Sequence, residues 1–277
     1  MTNQHTEVKV GSVQTEGDIL YYETRGQDPP LLMISGGGGD AGFFTRVAEI
    51  LSDEYKVITY DRRGNSRSSR NEPINFTINQ QARDGFAILQ AVCPGEPAFV
   101  FGNSGGAIIA MEMAKEQRSE VNAFVVHEPP VLKVLPDGAK WQRFFAEVYR
   151  VGWRYGHRWA MLKFGLSTKI PSQTYKAVPK ELSERIGLNH EYFVKHEMLA
   201  FTNYSPDYAA LQSTKAKIFM AVGETTRDKK LYYGRTAQIL AEKLGCELVR
   251  FPGNHLSYLD MPREWAEVLR ATLQRAK

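Results

Sequence analysis

Features that are typical of secreted, membrane-spanning and redox proteins are sparse or absent in this chain of 277 residues. It has two cysteines, Cys93 and Cys246, which lie far apart and lack metal or redox spacing, so we expect incidental thiols in a reducing compartment. No window approaches 18 uninterrupted apolar residues, and residues 1–7 show no basic stretch followed by an apolar one. The sequence therefore predicts a soluble cytoplasmic protein without membrane association.

A strong excess of charge of either sign is also absent. The formal net charge is +4, and acidic and basic residues alternate along most of the chain. The densest basic cluster consists of Arg62, Arg63, Arg67 and Arg70, and no base-stacking aromatic residues are interleaved with them. We therefore interpret this cluster as a solvated loop and expect no nucleic-acid partner.

Strand-like runs alternate with helix-like segments, a pattern typical of an α/β sheet with crossover connections. The first two runs predict an antiparallel hairpin, and the later ones are rich in Val, Ile, Leu, Met and Phe, as expected of parallel strands buried on both faces. The eight predicted strands are residues 8–13, 19–23, 31–35, 56–60, 98–101, 123–127, 218–222 and 247–251.

Residues 131–212 interrupt this alternation, with helical periodicity and no convincing strand, and hold 14 of the 31 aromatic residues. We predict a core domain of residues 1–130 and 213–277, with 131–212 as a helical cap over the strand ends where α/β folds bind ligands. Most of these aromatic residues are expected to pack between helices, and some to line a pocket. The candidates for substrate contact are Trp141, Phe145, Trp153 and Phe201, together with Asn103 from the core.

The residues Gly-Asn-Ser-Gly-Gly at 102–106 follow an apolar run and are typical of a nucleophile elbow, a tight turn between strand and helix that exposes a serine. At Gly102 and Gly106 a Cβ atom would press on the neighbouring strand or helix, and Ser104 would have to accept an unfavourable backbone conformation. The alternative is a flexible glycine loop. A nucleophilic serine also needs a base and oxyanion donors, and the residues that follow the other strands show whether these groups are present.

Those strand ends carry the groups that a serine nucleophile needs. His255 follows the last strand and is the candidate base. Four glycines at 36–39 follow the third strand, and backbone N–H groups there and after Ser104 could hold an oxyanion, with Gly37 and Gly105 as donors and Gly38 as a second choice. A phosphate-binding loop is the alternative, but no Gly-Lys-Ser/Thr follows the glycines.

These motifs, in this order, resemble the α/β-hydrolase family over nearly the whole chain. The matching residues are the glycines at 36–39, the run Tyr-Asp-Arg-Arg-Gly-Asn-Ser at 60–66, the turn at 102–106 and His255. The resemblance implies an eight-stranded, mostly parallel sheet with helices on both faces, a helical cap, and a catalytic triad in the order serine, acid, histidine.

The acid departs from the usual family pattern. Most members carry it three residues after the glycine that ends strand seven, and that position is Thr226 here, flanked by Glu224 and Asp228. The other candidate is Glu128, which ends strand six, where a neighbouring imidazole N–H could satisfy a buried carboxylate. Fungal lactonases that open zearalenone place the acid there, and the chain is similar to them in His-Glu at 127–128. We favour Glu128. A tryptophan with which those lactonases contact their substrate has no clear counterpart in this chain, so the resemblance does not imply that zearalenone is the substrate.

The sequence thus predicts a serine hydrolase that cleaves an ester or lactone of a small, largely apolar molecule, with no metal and no organic cofactor. Other chemistries of the fold remain open, namely C–C bond hydrolysis, aminopeptidase and cofactor-free perhydrolase activity. A small-molecule receptor on a hydrolase scaffold is the alternative of a different class. The sequence makes no prediction of the oligomeric state.

Overall fold

One eight-stranded sheet passes through the protein, whose computed structural model describes residues 7–27, 29–71 and 75–276. Residues 1–6 and 277, which the sequence assigns to the core domain, lie outside the described residues. The prediction about residues 1–7 therefore falls almost entirely outside them too. The strands lie in the order β1-β2-β4-β3-β5-β6-β7-β8. They are β1 (Lys9–Thr15), β2 (Asp18–Arg25), β3 (Pro30–Ile34), β4 (Lys56–Tyr60), β5 (Ala98–Asn103), β6 (Val121–His127), β7 (Lys217–Gly223) and β8 (Glu247–Phe251).

The predicted α/β-hydrolase architecture is confirmed. The pairs β1/β2 and β2/β4 are antiparallel, and every other neighbouring pair in the sheet is parallel. Each predicted strand is present, and the bounds differ by two residues at most. Because β3 to β8 run parallel, their carboxyl ends meet along one edge of the sheet, where ligands bind in open α/β folds.

Helices cover both faces of the sheet because its central strands are apolar on both sides. In β3 the side chains of Leu32 and Ile34 belong to one buried cluster, whereas Leu31 and Met33 belong to the cluster on the opposite face. This is the period of two that a strand imposes on its side chains. The helices of the core are α1 (Thr45–Leu51), α2 (Ile78–Val92), α3 (Gly105–Lys115), α10 (Glu224–Asp228), α11 (Tyr232–Leu244) and α12 (Pro262–Gln274).

The chain between β6 and β7 is helical, as predicted, and it has its own apolar cluster built around Phe145, Val148 and Val194. One π turn interrupts it at Phe193–Glu197. The helices are α4 (Gly138–Tyr155), α5 (His157–Thr168), α6 (Ser172–Lys176), α7 (Lys180–Tyr192), α8 (Met198–Thr202) and α9 (Tyr208–Ser213). We call α4 to α9, with the π turn, the inserted helices.

The prediction that the basic cluster after β4 is a solvated loop is wrong for two of its members, Arg62 and Arg63. The Arg62 side chain is fully buried and pairs with Glu197, and Arg63 pairs with Asp18 and Asp84. Buried acids on distant segments explain the difference, because their positions in sequence give no hint that they meet these arginines. Within the described ranges, no helix combines the length and apolarity that crossing a membrane requires.

Candidate active site

Ser104 occupies the turn between β5 and α3, in a strained conformation. Its backbone has φ of 58° and ψ of −120°, a region that residues with a side chain rarely adopt. A Cβ atom on Gly102 would lie 2.2 Å from the Gly106 carbonyl oxygen, and one on Gly106 would lie 2.1 Å from that of Ile34. The expectation that both positions exclude a side chain is therefore confirmed. The turn holds Ser104 at the carboxyl edge of the sheet.

His255 lies in the loop after β8, and its imidazole meets Glu128, the residue directly after β6. The Nδ1 atom of His255 is 2.5 Å from Oε2 of Glu128, and the carboxylate is fully buried. The second carboxylate oxygen, Oε1, accepts a hydrogen bond of 2.8 Å from the backbone N–H of Gly223. Because Nδ1 is held by the carboxylate, Nε2 is the ring nitrogen left to face the cavity that His255 shares with Ser104.

Glu128 is placed to remain ionised. Burial raises the pKa of its carboxyl, but the adjacent imidazoles of His127 and His255 and the Gly223 N–H outweigh that effect and hold the pKa below its usual value. Its backbone has a positive φ of 52° and its N–H donates to the Ala221 carbonyl oxygen, so β7 fixes the residue as it leaves β6. The geometry supplies a charged partner for the imidazole of His255.

The other acids considered from the sequence lie on the surface. The Asp228 side chain is 64% exposed and pairs with Arg227 on the same short helix, α10. Glu224 is exposed at the start of that helix, and Thr226 between them is buried. Neither carboxylate has a hydrogen bond to His255 among the described residues, so the structure brings only Glu128 to the imidazole.

Asn103, a predicted substrate contact, is buried and is not among the residues that line the cavity. Its Oδ1 atom is 2.7 Å from Nδ1 of His127, and its Nδ2 donates to the hydroxyl of Tyr258 at 3.2 Å. Burial lowers the pKa of His127 to about 4, so this imidazole is neutral near pH 7. With Asn103 accepting, the proton of His127 lies on Nδ1.

The glycine loop forms a tight turn beside Ser104. The N–H of Gly39 donates to the carbonyl oxygen of Gly36, and Gly38 has φ of 91°, as the third residue of a type II turn requires. A Cβ atom on Gly36 would lie 2.6 Å from that of Ser104. Gly37 lines the same cavity as Ser104 and Gly105, whereas the carbonyl of Gly38 faces Asn189. The structure thus places Gly37 and Gly105, but not Gly38, among the residues that line the cavity with Ser104.

The cavity over Ser104 is small and its walls are largely apolar. Its volume is about 30 Å³, which is room for about two or three water molecules, because each needs about 10–15 Å³ of such space. The walls come from the core, including its helix α11, and from the inserted helices. Besides Ser104, His255, Gly37 and Gly105, the lining residues are Pro130, Phe145, Phe164, Thr168, Phe193, Met198, Phe201, Thr202, Tyr232 and Tyr233.

Two of the four predicted aromatic contacts line this cavity, Phe145 and Phe201. Trp153 is 58% exposed on α4 and Trp141 packs against Tyr232, and the structure places neither in the lining. Tyr233 also lines the cavity, and its ring centroid lies 4.5 Å from that of His255. It is not predicted from the sequence, because it lies on α11, outside the aromatic-rich residues 131–212.

The side chains around His255 also form a group of three possible metal ligands, namely His127, Glu128 and His255, whose ligand atoms lie within 4.8 Å of one another. Four of the possible ligand atoms already have hydrogen bonds, whereas Nε2 of His127 is buried without a partner among the described residues. The two oxygens of Glu128 engage His255 and Gly223, and Nδ1 of His127 engages Asn103. The arrangement fits an oriented imidazole that can accept a proton.

Comparison with known proteins agrees with the fold. Residues 31–268 match the family model described as the alpha/beta hydrolase family. The uncharacterized hydrolase YraK of Bacillus subtilis (strain 168) is 34% identical over 272 residues, which cover 96% of this chain and 97% of YraK.

Two solved structures share the architecture. A thermophilic esterase from Thermogutta terrifontis superimposes with a TM-score of 0.76 at 17% identity, covering 97% of this chain and 99% of the esterase. The enol-lactonase from Burkholderia xenovorans LB400 has a TM-score of 0.73 at 15% identity, covering 95% of this chain and all of the enol-lactonase (100%). At these identities the likeness shows the fold alone. The family match and the similarity to YraK together establish that this chain belongs to the alpha/beta hydrolase family.

Proposed function

We propose that this chain is a serine hydrolase that cleaves a carboxylic ester or lactone of a small, largely apolar molecule. The observation that carries the proposal is the contact of 2.5 Å between Nδ1 of His255 and the buried carboxylate of Glu128, at the edge of the sheet where Ser104 lies in a strained turn. A nucleophile, a base and an orienting acid are the three groups that acyl transfer to serine requires.

In the proposed reaction, Nε2 of His255 accepts the proton of the Ser104 hydroxyl as the oxygen attacks the carbonyl carbon. The negative charge that forms on the carbonyl oxygen is stabilised by the N–H groups of Gly37 and Gly105. The protonated imidazole then donates to the leaving alcohol, and an acyl-enzyme remains.

Water completes the cycle by attacking the acyl group, with His255 again accepting the proton and then donating it to the Ser104 oxygen as the carboxylic acid leaves. Glu128 keeps the proton of the resting imidazole on Nδ1 and stabilises the charged imidazolium. The lowered pKa of Glu128 supports this role, because the carboxylate stays negative near neutral pH. An acid at the end of β6 resembles the arrangement in zearalenone lactonases, and we extend the triad position to this chain but not that substrate.

The substrate class follows from the cavity. Its walls carry aromatic rings, and none of the lining residues is Asp, Glu, Lys or Arg. A volume of about 30 Å³ suits a short acyl group rather than a long chain. We propose residues 1–130 and 213–277 as the core domain and 131–212 as its cap. The esterase and the enol-lactonase that share the fold act on ester bonds by name, which agrees with this proposal.

Hydrolysis of a graded series of esters and lactones tests the proposal, starting with 4-nitrophenyl acetate. We expect sustained turnover that Ser104→Ala abolishes, with short acyl groups preferred. Ser66→Ala is the matched control, because Ser66 is a serine whose hydroxyl is engaged by Asp40. Labelling of Ser104 that stops after one turnover would instead favour a small-molecule receptor.

A further inference from the structure

The Arg62 side chain connects the inserted helices to the glycine loop. Arg62 and Glu197 are both 0% exposed, and two guanidinium nitrogens lie 2.7 Å from the two carboxylate oxygens. The guanidinium also donates to two carbonyl oxygens of the loop, those of Ser35 at 3.0 Å and Gly36 at 2.8 Å. One buried cation therefore joins Glu197 of the π turn to the chain directly before Gly37.

The hydrogen bond to Gly36 fixes the direction of the neighbouring N–H. A trans peptide unit is planar, and its C=O and N–H point in opposite directions. The oxygen of Gly36 is held by Arg62 and by the N–H of Gly39. The N–H of Gly37, in the same peptide unit, must then point away from Arg62, and Gly37 lines the cavity over Ser104.

The inserted helices meet the loop through a stripe of residues spaced by four. Arg185 pairs with Asp40 at 2.8 Å, and Asn189 donates to the oxygen of Gly38 at 2.6 Å. The ring of Phe193 lies so near Gly37 that a Cβ atom there would be 2.9 Å from it. Glu197 completes the stripe.

The π turn explains how four residues with this spacing can share one face. In a helix of 3.6 residues per turn, each step of four residues rotates the side chain by about 40° from the previous one. A π turn takes up more residues per turn, so the step from Phe193 to Glu197 rotates the stripe back. Glu197 thereby reaches Arg62 rather than drifting off the face.

We propose that Arg62 and Glu197 are positioning residues that orient the Gly36–Gly37 peptide, so that the oxyanion site is complete only while the inserted helices are docked on the loop. This inference rests on the proposed function, because it assigns a role to the N–H of Gly37. A purely structural role explains the pair less well, because a buried ion pair contributes little net stability while this one uses its donors on the loop carbonyls.

The test is a single-turnover measurement of acylation by 4-nitrophenyl acetate. For Glu197→Gln we expect the acylation rate constant to fall 10- to 100-fold, less than the loss of an entire oxyanion donor, while the substrate dissociation constant changes less than twofold. Glu147→Gln is the matched control, since Glu147 pairs with Lys163 on the surface of the inserted helices. It should react like the wild type.

A second variant keeps the test decisive where Glu197→Gln fails to fold. The double variant Arg62→Met/Glu197→Leu removes both buried charges together, so it leaves no unpaired ion. We expect it to fold and to lose acylation rate in the same proportion as it loses affinity for a trifluoromethyl ketone, which forms a tetrahedral oxyanion on the serine.

Either folded variant overturns the inference if it acylates at the wild-type rate, or if only its substrate dissociation constant changes. Failure of the proposed function is distinguishable, because the wild-type protein itself would then show no acylation that depends on Ser104.

Discussion

Replacing Glu128 by glutamine removes one charge from the centre of the candidate site and almost no volume. The carboxylate has two fixed neighbours, the Gly223 N–H at Oε1 and the His255 Nδ1 at Oε2. A glutamine has one oxygen and one NH2 group for these two positions. With its NH2 group facing Gly223, two donors would oppose each other in a fully buried place, at a cost of about 1–3 kcal/mol.

The side chain is therefore expected to turn the other way. Its oxygen then accepts from Gly223, and its NH2 group donates to Nδ1 of His255, which moves the imidazole proton to Nε2. An imidazole with its proton on Nε2 cannot accept the proton of Ser104. The same tautomer error in another serine hydrolase costs about 10⁴ in kcat, and we expect a fall of about 10³ to 10⁴, or about 4 to 5.5 kcal/mol in the activation free energy.

The assay is the steady-state rate with 4-nitrophenyl acetate, read together with the free energy of unfolding in urea. Glu128→Gln should lower kcat steeply and unfold within about 1–2 kcal/mol of the wild type, because both hydrogen bonds persist. Asp228→Asn is the control, since the Asp228 side chain is 64% exposed and contacts Arg227. It should stay within about twofold of the wild-type rate. A large loss in Asp228→Asn with none in Glu128→Gln would refute the assignment.

Three further changes test the packing, the charges and the cavity. Gly106→Ala should cost about 3 kcal/mol of stability, because its Cβ would lie 2.1 Å from the Ile34 oxygen. Gly187 lies in α7, where an added Cβ atom would have no other atom within 4 Å, so Gly187→Ala should raise the free energy of unfolding by about 0.5–1 kcal/mol. Equal effects of the two substitutions on unfolding in urea would contradict this packing.

Burial lowers the His127 pKa from 6.5 to about 4, so between these pH values the unfolded chain binds a proton that the folded protein does not. The contribution of His127 to the free energy of unfolding should therefore fall by about 3 kcal/mol between pH 6.5 and 4. His127→Gln should flatten that slope in urea titrations, and an unchanged slope would contradict it. Phe164→Ala should raise kcat/KM for hexanoyl relative to acetyl esters, because Phe164 lines the cavity; an unchanged chain-length preference would show that this wall does not limit the acyl group.

The fold could be predicted from the sequence because its signals are local. Parallel strands buried on both faces are continuous apolar runs, and each such run is a strand in the structure. The turn at Ser104 is only partly local, because a Cβ atom on Gly102 would meet the Gly106 oxygen, whereas one on Gly106 would meet the oxygen of Ile34 on β3. Contacts within a few residues leave a direct mark in the order of residues.

Contacts between distant segments leave a weaker mark. The sequence placed Glu128 at a strand end but could not show that His255 reaches it across 127 residues. Nothing in the order of residues indicates that Arg62 meets Glu197, 135 residues away, which is why the sequence predicts a solvated arginine. Trp153 carried the same aromatic signal as Phe201, yet only the packing of α4 shows that Trp153 faces solvent. Which side of a helix faces the core depends on its neighbours.

The proposed function requires Ser104 to form a covalent acyl intermediate with the aid of His255. Quenching the reaction with 4-nitrophenyl acetate in acid within milliseconds, followed by peptide mass spectrometry, would detect this intermediate. We expect an acetyl group on Ser104 that decays as product forms and is absent in Ser104→Ala. Turnover without this adduct, and undiminished in Ser104→Ala, would contradict it.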